Sequence, residues 1–156
     1  MKPDKEASDF TNKDTTIAYI NVQDFNSTEI NLMEEYKGKP LLIIIYNNQC
    51  LGCTGRAIPF AYQCQQKFET LQVIGIHSNF SKNRTTEEDV KSIFTINKLP
   101  FPIYLDEEHK VYDLFQSEGT PQWLLITADG HLSRSIFGSQ EGSQNRLMYA
   151  LEELLA

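Results

Sequence analysis

The chain has 156 residues, 40 % of them hydrophobic, with 21 acidic against 14 basic residues and a formal charge of −7. Such a length suits one domain around one core, and no Lys/Arg cluster is dense enough to follow a phosphate backbone, which excludes nucleic acid as a partner. The longest apolar run, Leu41 to Tyr46, is too short to cross a bilayer, which excludes membrane insertion.

Residues 1–14 are charged and aperiodic and read as a flexible N-terminal segment ahead of a domain over 15–156. The start, Met1-Lys2-Pro3-Asp4, lacks the apolar region and cleavage site of a secretory signal. The expected address is therefore cytoplasmic, or extracytoplasmic, in the periplasm or cell envelope, if a leader has been removed.

Ile17 to Val22 is rich in β-branched and aromatic residues and predicts a strand. Ser27 to Tyr36 predicts a polar turn and a short helical turn, ended by Lys37-Gly38-Lys39-Pro40. Leu41 to Tyr46 is continuously apolar, as expected of a strand covered on both faces. Asn47-Asn48-Gln49 leads to Cys50-Leu51-Gly52-Cys53. Thr54 to Thr70 then has the spacing of an amphipathic helix, with Pro59 expected to kink it. Leu71 to Ile76 predicts a second buried strand, and His77 to Arg84 a loop. Thr85 and Thr86 followed by Glu87, Glu88 and Asp89 carry helix-start signals for a helix through Val90 to Ile96.

Phe101 to Leu105 predicts a strand and Glu108 to Phe115 a helix, ending near Gly119. Trp123 to Thr127 and Leu132 to Phe137 flank Asp129-Gly130, a strong hairpin signal. A helix from Ser143 with Leu147, Ala150, Leu151, Leu154 and Leu155 on one face closes the chain. Alternating strands and helices followed by a hairpin imply an α/β fold: a central mixed sheet, helices on both faces, a C-terminal hairpin and a final helix.

The three cysteines are too few for the disulfide framework of a small secreted domain. Two of them form one close pair behind a buried strand and at the start of a helix, where free N–H groups and the macrodipole favour negative charge and so the attacking thiolate. The spacing lets the two sulfurs alternate between dithiol and disulfide. Cys50 would attack a substrate disulfide, and Cys53 would resolve the mixed disulfide. A structural zinc half-site needs a second pair that this chain lacks, and two unreactive cysteines are the plainer alternative. Cys64 lies 11 residues after Cys53, roughly 16 Å along a helix, too far for a disulfide, and reads as a core thiol.

Strand, Cys-x-x-Cys, helix with Pro59, and then Gly119-Thr120-Pro121 before an apolar strand resemble the thioredoxin superfamily. Glu35-Tyr36-Lys37-Gly38-Lys39-Pro40 and Phe101-Pro102-Ile103-Tyr104-Leu105-Asp106 resemble its TlpA/ResA-like thiol-disulfide oxidoreductases, over about Asn26 to Leu155. The resemblance implies a thioredoxin-like fold, a cis bond before Pro121, and a Thr120 backbone that pairs with the substrate chain. It also implies substrate contacts from Gln49, Leu51 and Gly52, protein thiols or disulfides and an upstream electron donor as partners, and a monomer. No metal and no cofactor beyond the Cys50–Cys53 disulfide is expected, and reduction is the expected direction.

Several positions depart from the family pattern. Gln49 stands where Trp is usual, and Leu51-Gly52 where a dipeptide with Pro is common. Pro59 falls six rather than five residues after the second cysteine, so a local bulge or shifted kink is expected. Ile44 replaces the buried Asp of thioredoxins and Arg56 the Glu of ResA-like proteins. Arg56, His77 and Glu118 are the candidates for proton shuttle or thiolate stabiliser, while His109 and His131 read as surface residues. Two rival functions share the fold. A peroxiredoxin-type thiol peroxidase resembles a motif with Thr where this chain has Asn47, and a Sco-type Cu(I) carrier separates its cysteines by three residues.

Overall fold

The computed structural model describes residues 16–95 and 98–155. The expected flexible segment over 1–14 lies outside these residues. A seven-stranded sheet forms the centre: β1 (Asn21–Gln23), β2 (Glu29–Asn31), β3 (Leu41–Tyr46), β4 (Gln72–Ser78), β5 (Ile103–Asp106), β6 (Gln122–Ile126) and β7 (Leu132–Phe137). The spatial order is β2-β1-β5-β4-β3-β6-β7. β3, β4 and β5 are parallel, and the outer pairings are antiparallel. The expected mixed sheet is present.

All six residues of β3 are buried, because both faces of the sheet are covered. Leu42, Ile44 and Tyr46 pack with Cys53, Ala57, Phe60, Ala61, Leu147 and Leu151. Leu41, Ile43 and Ile45 point the other way, toward Ile20, Leu32, Ile74, Ile76 and Val111. Each of these aliphatic side chains contributes about 1.5–3 kcal/mol by leaving water.

Among the described residues five α-helices accompany the sheet: α1 (Leu32–Glu35), α2 (Ile58–Lys67), α3 (Glu87–Lys91), α4 (Lys110–Leu114) and α5 (Glu141–Leu155). Thr86 caps α3 through a capping box with Asp89, as its hydroxyl and first-turn acids predict. Gly130 takes φ +89° in the β6–β7 turn, which explains the Asp129-Gly130 signal.

Four expectations are corrected. Thr16 pairs singly with His131, and the N-terminal strand is Asn21–Gln23 rather than Ile17 to Val22. The stretch expected to be only turn and helix holds β2, which pairs with β1 around an Asp24 turn. β4 continues through His77 and Ser78, both buried, where a loop is expected. The cysteine helix is not one kinked helix: Cys53–Ala57 is a π-helical turn, with the Ile58 N–H bonded to the Cys53 carbonyl, and α2 follows it. Pro59 therefore sits in the first turn of α2, where its missing N–H costs little. The sixth residue between Cys53 and Pro59 is taken up by the wider turn, the expected bulge in concrete form.

Candidate active site

The cysteine pair stands where β3 leaves the sheet, beside the ends of β4 and β6. Its approach loop is polar because every residue of it is tied down. The Asn47 amide donates to the Ser78 carbonyl at 2.8 Å, and its Oδ1 accepts from the Gln49 N–H at 2.8 Å. The Asn48 N–H donates to His77 Nε2 at 3.1 Å, and its side-chain amide donates to the Asp89 carbonyl in α3 at 2.7 Å.

Both cysteines are free thiols. Cys50 is half-buried. Its Sγ accepts from the Cys53 N–H at 3.2 Å, and its S–H donates to the Thr120 carbonyl at 3.4 Å. Cys53 is fully buried. Burial and a hydrogen bond from Cys50 push its thiol up to about 12, against a weaker downward pull from the Asn47 backbone and Thr120. The two sulfurs are therefore unequal, one half-buried and the other withheld from solvent.

The Thr120–Pro121 bond is cis. Its loop is held by a strap that the sequence does not announce: the Gly138 N–H donates to the Pro121 carbonyl at 3.0 Å, and Trp123 Nε1 donates to the Gly138 carbonyl at 2.9 Å. Ser139, next in the strap, lies against Gly52 between the two cysteines. A Cβ on Gly52 would lie 2.6 Å from its Oγ, so the residue between the cysteines is small because the strap passes over it. Leu51, the other intervening residue, is 84 % exposed and forms an apolar tip beside Cys50.

The remaining candidates divide. Arg56 lies in the π-helical turn, exposed, with Nη2 3.9 Å from where a Gly52 Cβ would stand. Gln49 is exposed and joins the approach loop through its backbone. His77 lies beneath that loop; burial pushes its imidazole down, so it is neutral and accepts from Asn48. Glu118 is exposed and meets Gln122 through its backbone N–H, and among the described residues its carboxylate makes no hydrogen bond to either cysteine. Cys64 is buried in α2 and its thiol is pushed up to about 12 by burial, as an inert core thiol should be. His109 pairs with Asp113 and stacks on Phe80. The half-buried His131 contacts Asp129. Among the described residues no group of three or more His, Cys, Asp or Glu side chains could hold a metal ion.

One residue of the site was not singled out from sequence. Tyr46 is the last residue of β3, fully buried, and shares a core cluster with Cys53. The available signal was its parity, since Leu42, Ile44 and Tyr46 alternate onto the face that the cysteine helix covers.

A Cys-x-x-Cys at a helix start, in contact with a cis-proline loop at the strand ends of a mixed sheet, defines a thioredoxin-superfamily protein. The AhpC/TSA family model matches residues 3–135, and the chain belongs to that family, as a TlpA/ResA-like member of the superfamily. Thiol-disulfide oxidoreductase YkuV of Bacillus subtilis is 25 % identical over 95 residues, 60 % of this chain and 64 % of that one. The match thus spans less than two thirds of the curated relative. A thiol:disulfide interchange protein DsbE from Chlorobium tepidum superposes with a TM-score of 0.77 at 15 % identity, covering 94 % of this chain and all of the other. A thiol-disulfide isomerase from Corynebacterium glutamicum gives 0.75 at 24 % identity, covering 92 % and 97 %. Both show the fold.

Proposed function

We propose that the protein is a thiol-disulfide oxidoreductase that reduces disulfides in protein substrates through a mixed disulfide. The observation that carries this reading is the placement of Cys50 Sγ between the Cys53 N–H and the carbonyl of Thr120 before cis-Pro121. The N–H suits a thiolate, and the Thr120 backbone suits an extended substrate chain.

Cys50 attacks a substrate disulfide, and the first substrate sulfur leaves with the electron pair and takes up a proton. The mixed disulfide brings the Cys50 sulfur under attack by Cys53. The Cys50–Cys53 bond then forms, the second substrate sulfur leaves as a thiol, and two electrons have passed to the substrate. A thiol donor upstream restores the dithiol. The couple is the cysteine pair itself, with no separate cofactor, and one chain supplies the whole site, so the unit is a monomer. Leu51 and Gly52 lie against the substrate with Gln49 at the rim, and Leu51 provides the apolar contact that Gln49 does not. Arg56 adds positive charge beside Gly52, and His77 holds the approach loop.

Disulfide exchange with protein substrates belongs to compartments where disulfides persist, which supports work outside the cytoplasm. No helix among the described residues is long and apolar enough to cross a membrane. A peroxidase is the weaker reading, because Asn47 stands where the peroxiredoxin motif has Thr and both its amide atoms are already bonded, to the Ser78 carbonyl and the Gln49 N–H.

The test is the reduction potential of the Cys50/Cys53 pair together with insulin reduction by wild type and Cys50→Ser. A reversible two-electron couple and an inactive variant are expected. A variant with full activity, or Cu(I) bound stoichiometrically by a wild type that reduces nothing, overturns the reading.

A further inference from the structure

Between Lys39 and Lys67 the chain carries one charged residue, Arg56, three positions after the second cysteine. The strap that passes over Gly52, Phe137 to Gln140, is uncharged as well. In a chain of net charge −7, the segment that bears the dithiol therefore holds a single charge, and it is positive. No acidic side chain of the fold uses it. Among the described residues Arg56 forms no ion pair, neither with Glu118 of the cis-proline loop nor with Glu141 at the start of α5.

The guanidinium is held over the dithiol. Arg56 follows Gly52 by four residues, which places it one turn along on the same side, and its Nη2 stands 3.9 Å from where a Gly52 Cβ would be. The near side of that point is taken by the buried Ser139, whose Oγ is 2.6 Å away, and this leaves the exposed guanidinium on the outer side. Gly52 is two residues from Cys50, so their Cα atoms are no more than about 7.6 Å apart. In the mixed disulfide the substrate cysteine is bonded to Cys50 Sγ, and the residue next to it in the substrate is about 3.8 Å further along. A glutamate side chain at that residue spans the remaining distance to the guanidinium.

We infer that Arg56 is a specificity-determining residue, which selects protein disulfides with an acidic residue beside the cysteine by pairing its guanidinium with that carboxylate. The inference rests on the thiol-disulfide reading of the site and adds no covalent step to it. A planar guanidinium suits a carboxylate because two parallel N–H···O bonds form at once, and the uncharged side chains around Arg56 do not compete for it. The selection runs against the charge of the whole molecule. A net charge of −7 favours basic substrates at long range, but that field is screened beyond about 8 Å at physiological ionic strength. A preference for acidic residues would thus be the mark of Arg56 itself.

The experiment measures kcat/KM for reduction of three disulfide-bonded peptides that differ only in having Glu, Gln or Lys beside the cysteine. Wild type is expected to favour the Glu peptide over the Lys peptide about tenfold, by a ratio that falls as salt is raised. Arg56→Gln is expected to bring that ratio close to one, and Arg56→Glu to invert it. Arg56 is exposed and unpaired with any acid, so both variants fold, and an inverted preference cannot arise from misfolding. A loss of equal size on all three peptides would place the charge at the Cys50 thiolate instead and overturn the proposal, as would a wild type that prefers the Lys peptide. Peptides reduced without preference defeat the role of Arg56 alone, whereas a wild type that reduces none of them defeats the functional reading and this inference with it.

Discussion

Two buried polar clusters stand at the same end of the parallel strands, and they are built on opposite terms. At the end of β5, Asp106 is 3 % exposed, and its carboxylate accepts from the Ser78 hydroxyl at 2.8 Å and from the Val111 and Tyr112 N–H groups at 3.0–3.1 Å. It satisfies the start of α4 and joins that helix to β4 and β5. At the end of β3, two strands away, Tyr46 Oη, His77 Nδ1 and Asn48 Oδ1 are buried with no hydrogen-bond partner among the described residues, and burial raises the Cys53 thiol above its usual range. Saturated polar groups fix structure. Unsaturated ones add no such cross-links between elements.

The comparison predicts that the two clusters fail in different ways, and the largest effect should come from the unsaturated one. Cys53→Ser is expected to lower turnover on the order of a thousandfold and to accumulate a mixed disulfide at Cys50, visible as a mass adduct, with an unchanged urea midpoint. Asp106→Ala should do the reverse. It orphans three donors and is expected to destabilise the fold by about 3 kcal/mol in urea titration, while activity per folded molecule stays the same. A stable Asp106→Ala protein would dissolve the contrast.

Titration sharpens it further. Cys53 and Cys64 both have thiols raised to about 12 in the fold, so the unfolded chain loses these protons first. The stability they contribute is fully present below the unfolded value of about 8.5 and is lost as pH rises toward 12. Cys64→Val should therefore flatten the fall in urea midpoint between pH 8.5 and 10, by up to about 2 kcal/mol, and leave turnover unaltered. The smallest effect is on the acid side. His77 is depressed by burial, so its contribution is present above about pH 6.5 and lost as pH falls below it. Urea midpoints measured downward from pH 7 should fall in wild type and fall less in His77→Gln.

The sequence was legible where one strong physical cause dominates. Leu41 to Tyr46 reads as a strand because six apolar residues in a row require cover on both faces, and Asp129-Gly130 reads as a hairpin because the turn needs a positive φ. Cys50 and Cys53 stand out by their spacing together with their place between a buried strand and a helix start. The rest depends on partners distant in the chain. β2 is Glu29-Ile30-Asn31, whose polar residues carry no strand pattern and whose pairing comes from the Asp24 turn. His77 and Ser78 extend β4 although polar, because Asn48 and Asp106 bond them. Ser139 of the strap meets Gly52 from more than eighty residues away, and only folding brings the two together.

The π-helical turn after Cys53 also governs how this chain should be matched with others. One residue advances an α-helix by about 100°, so an alignment that counts straight on from Cys53 through relatives lacking the extra residue would rotate every later position of α2 by that angle. It would then pair the core-facing Phe60, Ala61 and Cys64 with surface residues and surface residues with core. A gap placed among Thr54, Gly55 and Arg56 restores the faces.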